Sequence, residues 1–183
     1  AISLDIEEFT EYSAPFAPLT VSVEYLEELA VKIQLKNQLA KQKEQLNFIS
    51  NLTELSKKYD KSDVYAMAAS SELTKFINAD GVVLSQKINN VWENITYDLK
   101  EGIEDFNSLE LEKFYNLYSQ SEKSYFYEEE NNIIYIANEN LGYSHSILVY
   151  LPKKQTVTQD IIDTIRTAFS IINSQLILLS LLK

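Results

Sequence analysis

SHSILVYLPKKQTVTQDIIDTIRTAFSIINSQLILLSLL (Ser144–Leu182) decides how this chain is built. Its opening belongs to Tyr143–Leu151, whose β-branched and aromatic residues predict a strand. Pro152-Lys153-Lys154 breaks that strand, and Thr158–Leu182 predicts one long helix. Within the helix, Ile161, Ile165, Ala168, Ile172, Gln175, Leu179 and Leu182 recur at alternating spacings of four and three. That is a coiled-coil seam with one polar position. Ile162, Phe169 and Leu176 form a second stripe about a hundred degrees away. One stripe is expected to rest on the domain's own sheet or helices. The other, with Ile165, Ile172 and Leu179, is expected to meet a partner chain.

Upstream, Ala1–Thr20 holds Pro15, Pro18 and several acidic residues without a period. It reads as a linker or approach segment, docking through Phe9, Tyr12 and Phe16. A helix is expected from Val21–Ser22 to about Tyr59, with Ser22 as N-cap. Leu26, Leu29 and Ile33 form one stripe and Leu35, Leu39, Leu46 and Ile49 another. Roughly 38 residues of helix would exceed ~50 Å at the usual rise. Leu26, Leu29 and Ile33 are therefore expected to meet a second copy of the chain. Two shorter helices with a break near Asn37 or Asn47 are the alternative.

The remainder alternates helices and short strands. Val64–Asn78 predicts a helix with Ser62 or Asp63 as its cap, stopped by Asn78-Ala79-Asp80-Gly81. Gly81–Lys87 and Val91–Tyr97 predict a hairpin around Asn89-Asn90. After an acidic stretch around Gly102 come a helix over Leu109–Ser121 and strands at Ser124–Tyr127, Ile133–Ala137 and Tyr143–Leu151. Hairpins bracketed by helices imply an α+β fold with one antiparallel sheet of about five strands.

Composition removes several classes of function. A net charge of −11 opposes nucleic acid and anionic membrane surfaces as partners. With no cysteine there is no disulfide, thiolate metal site or thiol nucleophile, in keeping with a cytoplasmic setting. The chain begins with Ala rather than Met and is expected to be a fragment or processed product. The apolar run near Leu176–Leu182 is too short and interrupted to span a bilayer.

Single residues point the same way. His145 is the one histidine, so no second imidazole can complete a metal site or haem ligation. Ser144 and Ser146 project from the opposite strand face, which works against a Ser-His pair. A hydrogen-bonded strand histidine is the expectation. Glu128-Glu129-Glu130 lacks calcium-loop spacing and reads as a solvated turn. The aromatic residues from Trp92 to Tyr135 either fill a core or wall a pocket. Trp92, Tyr97 and Phe114 are the expected pocket residues. No catalytic residue, metal or cofactor is expected.

LTELSKKYDKSDVYAMAASSELTKFINADGVVLSQ (Leu52–Gln86) and the Ser144–Leu182 stretch together resemble the GAF domain family. A PAS domain is the nearest rival. More narrowly, KSYFYEEENNIIYIANENLGYSHSILVYLP (Lys123–Pro152) resembles the GAF-like module of bacterial response regulators, placed between a receiver and an HD or GGDEF output domain. The resemblance implies leading and closing helices on one sheet face and, in ligand-binding members, a pocket on the other. It also implies sensing, homodimerisation and fused or adjacent signalling domains within a two-component system. The lack of cysteine sets aside bilin attachment and methionine sulfoxide reduction. The expected organisation is a linker (1–20), a signalling helix (21–51) and a GAF-like sensor domain (52–183). A ligand-free dimerisation scaffold is the alternative.

Overall fold

The computed structural model describes residues 16–182, with side chains from Ser22 to Leu182 apart from Tyr97. Phe9 and Tyr12, expected to dock, lie outside the described residues, as does the side chain of Phe16. The chain forms two compact units, Ala1–Leu46 and Asn47–Lys183. Helix α1 (Phe16–Lys58) contributes to both and runs unbroken past Asn37 and Asn47. It starts nearly two turns before the expected Ser22, which therefore lies inside the helix and does not cap it. Pro18 is tolerated because it falls in the first turn, where an amide N–H has no partner within the helix.

In the second unit, α2 (Ser62–Ile77) follows. Asp63 Oδ1 accepts from the Val64 amide at 2.9 Å, while Lys61 occupies the N-cap without a side-chain bond. The helix ends on Asn78 at φ 54°, and the Ala79 amide donates back to the Thr74 carbonyl at 3.0 Å. This left-handed ending turns the chain directly into the sheet.

Strands β1 (Gly81–Ile88) and β2 (Val91–Leu99) form a hairpin on Asn89-Asn90, both at positive φ. Helix α3 (Ser108–Gln120) crosses to β3 (Phe126–Glu128), β4 (Ile133–Asn140) and β5 (Tyr143–Tyr150). Helix α4 (Gln159–Leu181) closes the chain. The five strands are antiparallel in the order β2-β1-β5-β4-β3. Alternation along the strands separates two cores.

The first core places Val82, Leu84, Ile134, Ile136, Ile147 and Val149 beneath α2, α4 and the end of α1. Tyr65, Ala66, Ala69 and Leu73 descend from α2, and Phe48 of α1 stacks on Phe76 at 4.2 Å between centroids. The second core carries Val83, Trp92, Ile133, Tyr135, Leu148 and Tyr150 beneath α3, which contributes Leu111 and Phe114.

Helix α4 corrects an expectation. Ile165 and Ile172 are 0% exposed and Leu179 6%, all in the domain's own first core, together with Ile162, Phe169 and Leu176. The two apolar stripes are neighbours on the helix, and the concave bed of sheet, α2 and α1 is wide enough to take both. The seam expected to meet a partner chain is thus occupied within this chain. By length and composition α4 also passes as a membrane span, yet its apolar face is the one packed here.

Candidate functional site

The second sheet face is built from aromatic rings. Phe114 on α3 is the hub: it lies 5.0 Å from Phe106, 5.7 Å from Tyr135 and 6.0 Å from Phe126, centroid to centroid. Trp92 sits 5.5 Å from Tyr115, and Lys87 places its ammonium 5.1 Å from the Tyr115 ring and 5.7 Å from Trp92. Tyr115 Oη donates to Glu139 at 2.7 Å, which ties α3 to β4 and raises the Tyr115 pKa. Trp92 and Phe114 are buried in the middle of this face, packed among these rings. The side chain of Tyr97, the third expected pocket residue, lies outside the described residues.

The open space lies at the end of the face. A cleft of about 340 Å³ is bounded by the segment between β2 and α3, the start of β4 and the end of β5. Ile103, Phe106, Ile133 and Tyr150 supply its apolar surface, with Glu104 and Lys153 among its charged groups. That size suits a small organic molecule. Sequence reading passed over Ile103, Glu104 and Lys153 because nothing periodic marks them. Only the path of the loop brings them together.

Each wall has a local cause. Lys100 to Ile103 forms a turn closed by the Ile103 amide on the Lys100 carbonyl at 3.2 Å, with Gly102 at φ 89°. That positive φ at the third turn position is cheap only for glycine. Lys100 Nζ pairs with Asp80 Oδ1 at 2.7 Å, and the Lys100 amide donates to the Asp80 carbonyl at 2.9 Å. Asp80 in turn donates its amide to the Tyr150 carbonyl at 2.7 Å. The loop is pinned to the sheet by Ser85, Asn94 and Asp105. Ser85 Oγ donates to Asn94 Oδ1 at 2.8 Å, and Asn94 Nδ2 donates to Asp105. Burial pushes the Asp105 carboxyl up, against the hydrogen bonds from Phe106 N–H and Asn94. Asn107 then caps α3 in a reciprocal box with Glu110, at 3.0 and 2.9 Å.

Two buried polar atoms on this face, Trp92 Nε1 and Tyr135 Oη, have no hydrogen-bond partner among the described residues. Burial pushes the Tyr135 phenol up. Tyr150 is raised likewise, first by burial and then by the charges of Asp105 and Glu110. None of these phenols is poised as a base near neutrality. Among the described residues no three His, Asp or Glu groups gather as a metal site.

His145, on the helix-covered face, is 2% exposed and its Nδ1 lies 2.8 Å from Asn173 Oδ1. This is the hydrogen-bonded strand histidine its sequence position suggests. Glu128 accepts from the Asn131 amide at 2.8 Å and so closes the turn before β4. Leu26 and Leu29 are half-buried and Ile33 is exposed on α1.

No protein-family model matches the chain, and no curated protein matches it. Among solved structures, the fold is similar to the crystal structure of the GAF domain of a putative sensor histidine kinase from Pseudomonas syringae pv. tomato, with a TM-score of 0.58. The match covers 81% of this chain and 95% of that one at 8% identity. At that identity the likeness is one of fold. The chain has a GAF-like α+β fold, with helices on one sheet face and an aromatic face with its cleft on the other.

Proposed function

We propose that this chain is a dimeric sensory or regulatory domain of a bacterial signal-transduction protein, cytoplasmic and non-catalytic. The observation that carries this reading is the arrangement of the sheet. Helices α2 and α4 cover one face, and the other ends in a cleft of about 340 Å³ between the segment after β2, the start of β4 and the end of β5. A small molecule closing on Ile103, Phe106 and Tyr150 would draw the segment after β2 against β5. The strain would cross the sheet to α2 and α4. In the narrower form, the chain lies beside a receiver domain and an HD or GGDEF output domain.

Dimerisation is assigned to α1. Leu35, Leu39 and Leu46 are 53%, 65% and 66% exposed and share spacings of four and seven. Leu26, Leu29 and Ile33 extend the apolar surface towards the start of the helix. On α4 and its C-cap the exposed large apolar residues are Leu178, Leu181 and Leu182, all in the last turns, so the contact is assigned to α1.

The second reading is a ligand-free interaction scaffold. The solid packing of Trp92, Phe114 and Tyr135 favours it, since the middle of the ligand face is already full. Thermal-shift screening separates the two. A cleft ligand at a hundred times its dissociation constant stabilises by ~2.7 kcal/mol. Under the sensory reading that gain disappears in Ile103→Asp, while a scaffold shows no responding compound at all.

A further inference from the structure

A second cavity, of about 390 Å³, lies on the opposite side of the sheet from the cleft. Ser62 and Asp63 at the start of α2, Gln86, His145, and Leu176 and Ser180 of α4 line it. Gln86 and His145 are direct cross-strand partners of β1 and β5, so their side chains project side by side from this face.

The lining offers several free acceptors beside the Ser62 hydroxyl and the Gln86 amide. Asn173 Oδ1 can only accept, so His145 Nδ1 donates to it at 2.8 Å and Nε2 carries the lone pair. No described residue hydrogen-bonds that Nε2, although His145 is 2% exposed. Ser180 Oγ spends its proton on the Leu176 carbonyl at 2.8 Å and keeps its lone pairs. Ser62 Oγ is buried and has no partner among the described residues. Asn94, also on the wall, has both ends of its amide engaged, with Ser85 and Asp105. Asp63 is the one charged residue of the lining, and no Lys or Arg contributes to it.

We propose that this cavity binds a small cationic N–H donor, an alkylamine or guanidinium compound, held between His145 Nε2 and the Asp63 carboxylate. An anion would gain the free amides at the start of α2 but would meet the Asp63 carboxylate and the Nε2 lone pair with no Lys or Arg to offset them. An apolar molecule would leave His145 Nε2 and Ser62 Oγ unpaired, at the cost of desolvated polar groups. Burial lowers the His145 pKa, so the imidazole stays neutral near pH 7 and keeps its acceptor. The inference is independent of the sensory reading, because it uses the other face and none of the cleft residues.

The single histidine makes the test direct. The full chain is labelled with 15N-histidine and titrated with agmatine at constant pH, with malonate as the anionic counterpart. The expected result is a saturable movement of the His145 Nε2 resonance towards the value of a protonated nitrogen with agmatine and none with malonate. Asp63→Asn and Ser62→Leu should each weaken agmatine binding at least tenfold with the circular dichroism spectrum intact. Ser62→Leu fills the cavity, and Asp63→Asn reads the charge even if the leucine variant does not fold. An Nε2 signal unmoved by millimolar agmatine would overturn the proposal. So would unchanged affinity in a folded variant, or a response to malonate in place of agmatine.

Discussion

His145 on β5 and Asn173 on α4 meet through a 2.8 Å hydrogen bond at the edge of a core otherwise made of apolar side chains. The bond orients the imidazole and locks α4 against the sheet. Burial lowers the His145 pKa, and the Asn173 contact opposes that only in part. The unfolded imidazole, near its ordinary value, binds a proton first. His145 therefore contributes stability that is complete above ~6.5 and is lost as pH falls through the folded value. Urea midpoints at about pH 7.5 and about pH 5.5 should fall on acidification, and the fall should shrink in His145→Gln. An unchanged pH slope in that variant would remove His145 as its cause.

Tyr65 stands 0% exposed on α2, and its hydroxyl finds no partner among the described residues. Burial holds its phenol up at about 12. Removing an unpaired buried hydroxyl relieves its desolvation, so Tyr65→Phe should stabilise the domain by roughly 1–2 kcal/mol. Chemical denaturation measures this, and a loss of stability would mean that the hydroxyl is bonded.

Gly81 opens β1 where the strand passes closest to its neighbour. A Cβ at this position would stand 2.9 Å from the Asp98 carbonyl oxygen and collide with the Leu99 side chain. Gly81→Ala should therefore cost ~1–3 kcal/mol by overpacking. It should also loosen the Asp80–Lys100 pin beside the cleft, which amide exchange at Lys100 would report as faster opening.

Asn132 is buried at φ 57° and spends its whole side chain locally. Its Nδ2 donates to the Pro152 and Gln155 carbonyls at 2.7 and 3.0 Å, and its Oδ1 accepts from Tyr127 Oη at 2.6 Å. Asn132→Ala orphans the Gln155 carbonyl and the Tyr127 hydroxyl, while the Pro152 carbonyl keeps its bond from the Gln155 amide, and it places alanine in the left-handed region. A loss of ~2–3 kcal/mol is expected by calorimetry, since each orphaned group costs ~1 kcal/mol or more and the left-handed backbone adds to it.

The elements with a strong period were legible in the chain alone. The hairpin turn Asn89-Asn90, the Asn78 stop and the α4 period all reflect local backbone preference or apolar spacing, whereas β4 runs on to Asn140, past the Ala137 where the sequence suggested it would end. The start of α1 was hidden because Pro18 reads as a breaker unless it lies in the first turn. The partner of the α4 seam was also hidden. A stripe of Ile165, Ile172 and Leu179 looks the same whether it meets its own sheet or another chain. The cleft left no trace in the sequence because it depends on the loop path set by Asp80, Asn94 and Asp105. The resemblance to the GAF family implied helices packed on one sheet face, as found, but not how densely Trp92 and Phe114 pack on the other.

This relocates the effect of substitutions on the two long helices. Ile172→Asp buries a charge in the first core and should unfold the domain, at ~4 kcal/mol or more. Leu39→Asp alters an exposed position of α1 and should leave thermal stability within about ±0.5 kcal/mol.

The most direct measurement is the solution mass of the full chain and of Leu39→Asp, by light scattering across micromolar concentrations. The expected result is a wild-type particle of twice the 21.1 kDa chain mass, reduced to a single folded chain in Leu39→Asp. A wild-type monomer at every concentration, with α1 helical by circular dichroism, would contradict a dimeric sensor that signals through paired helices.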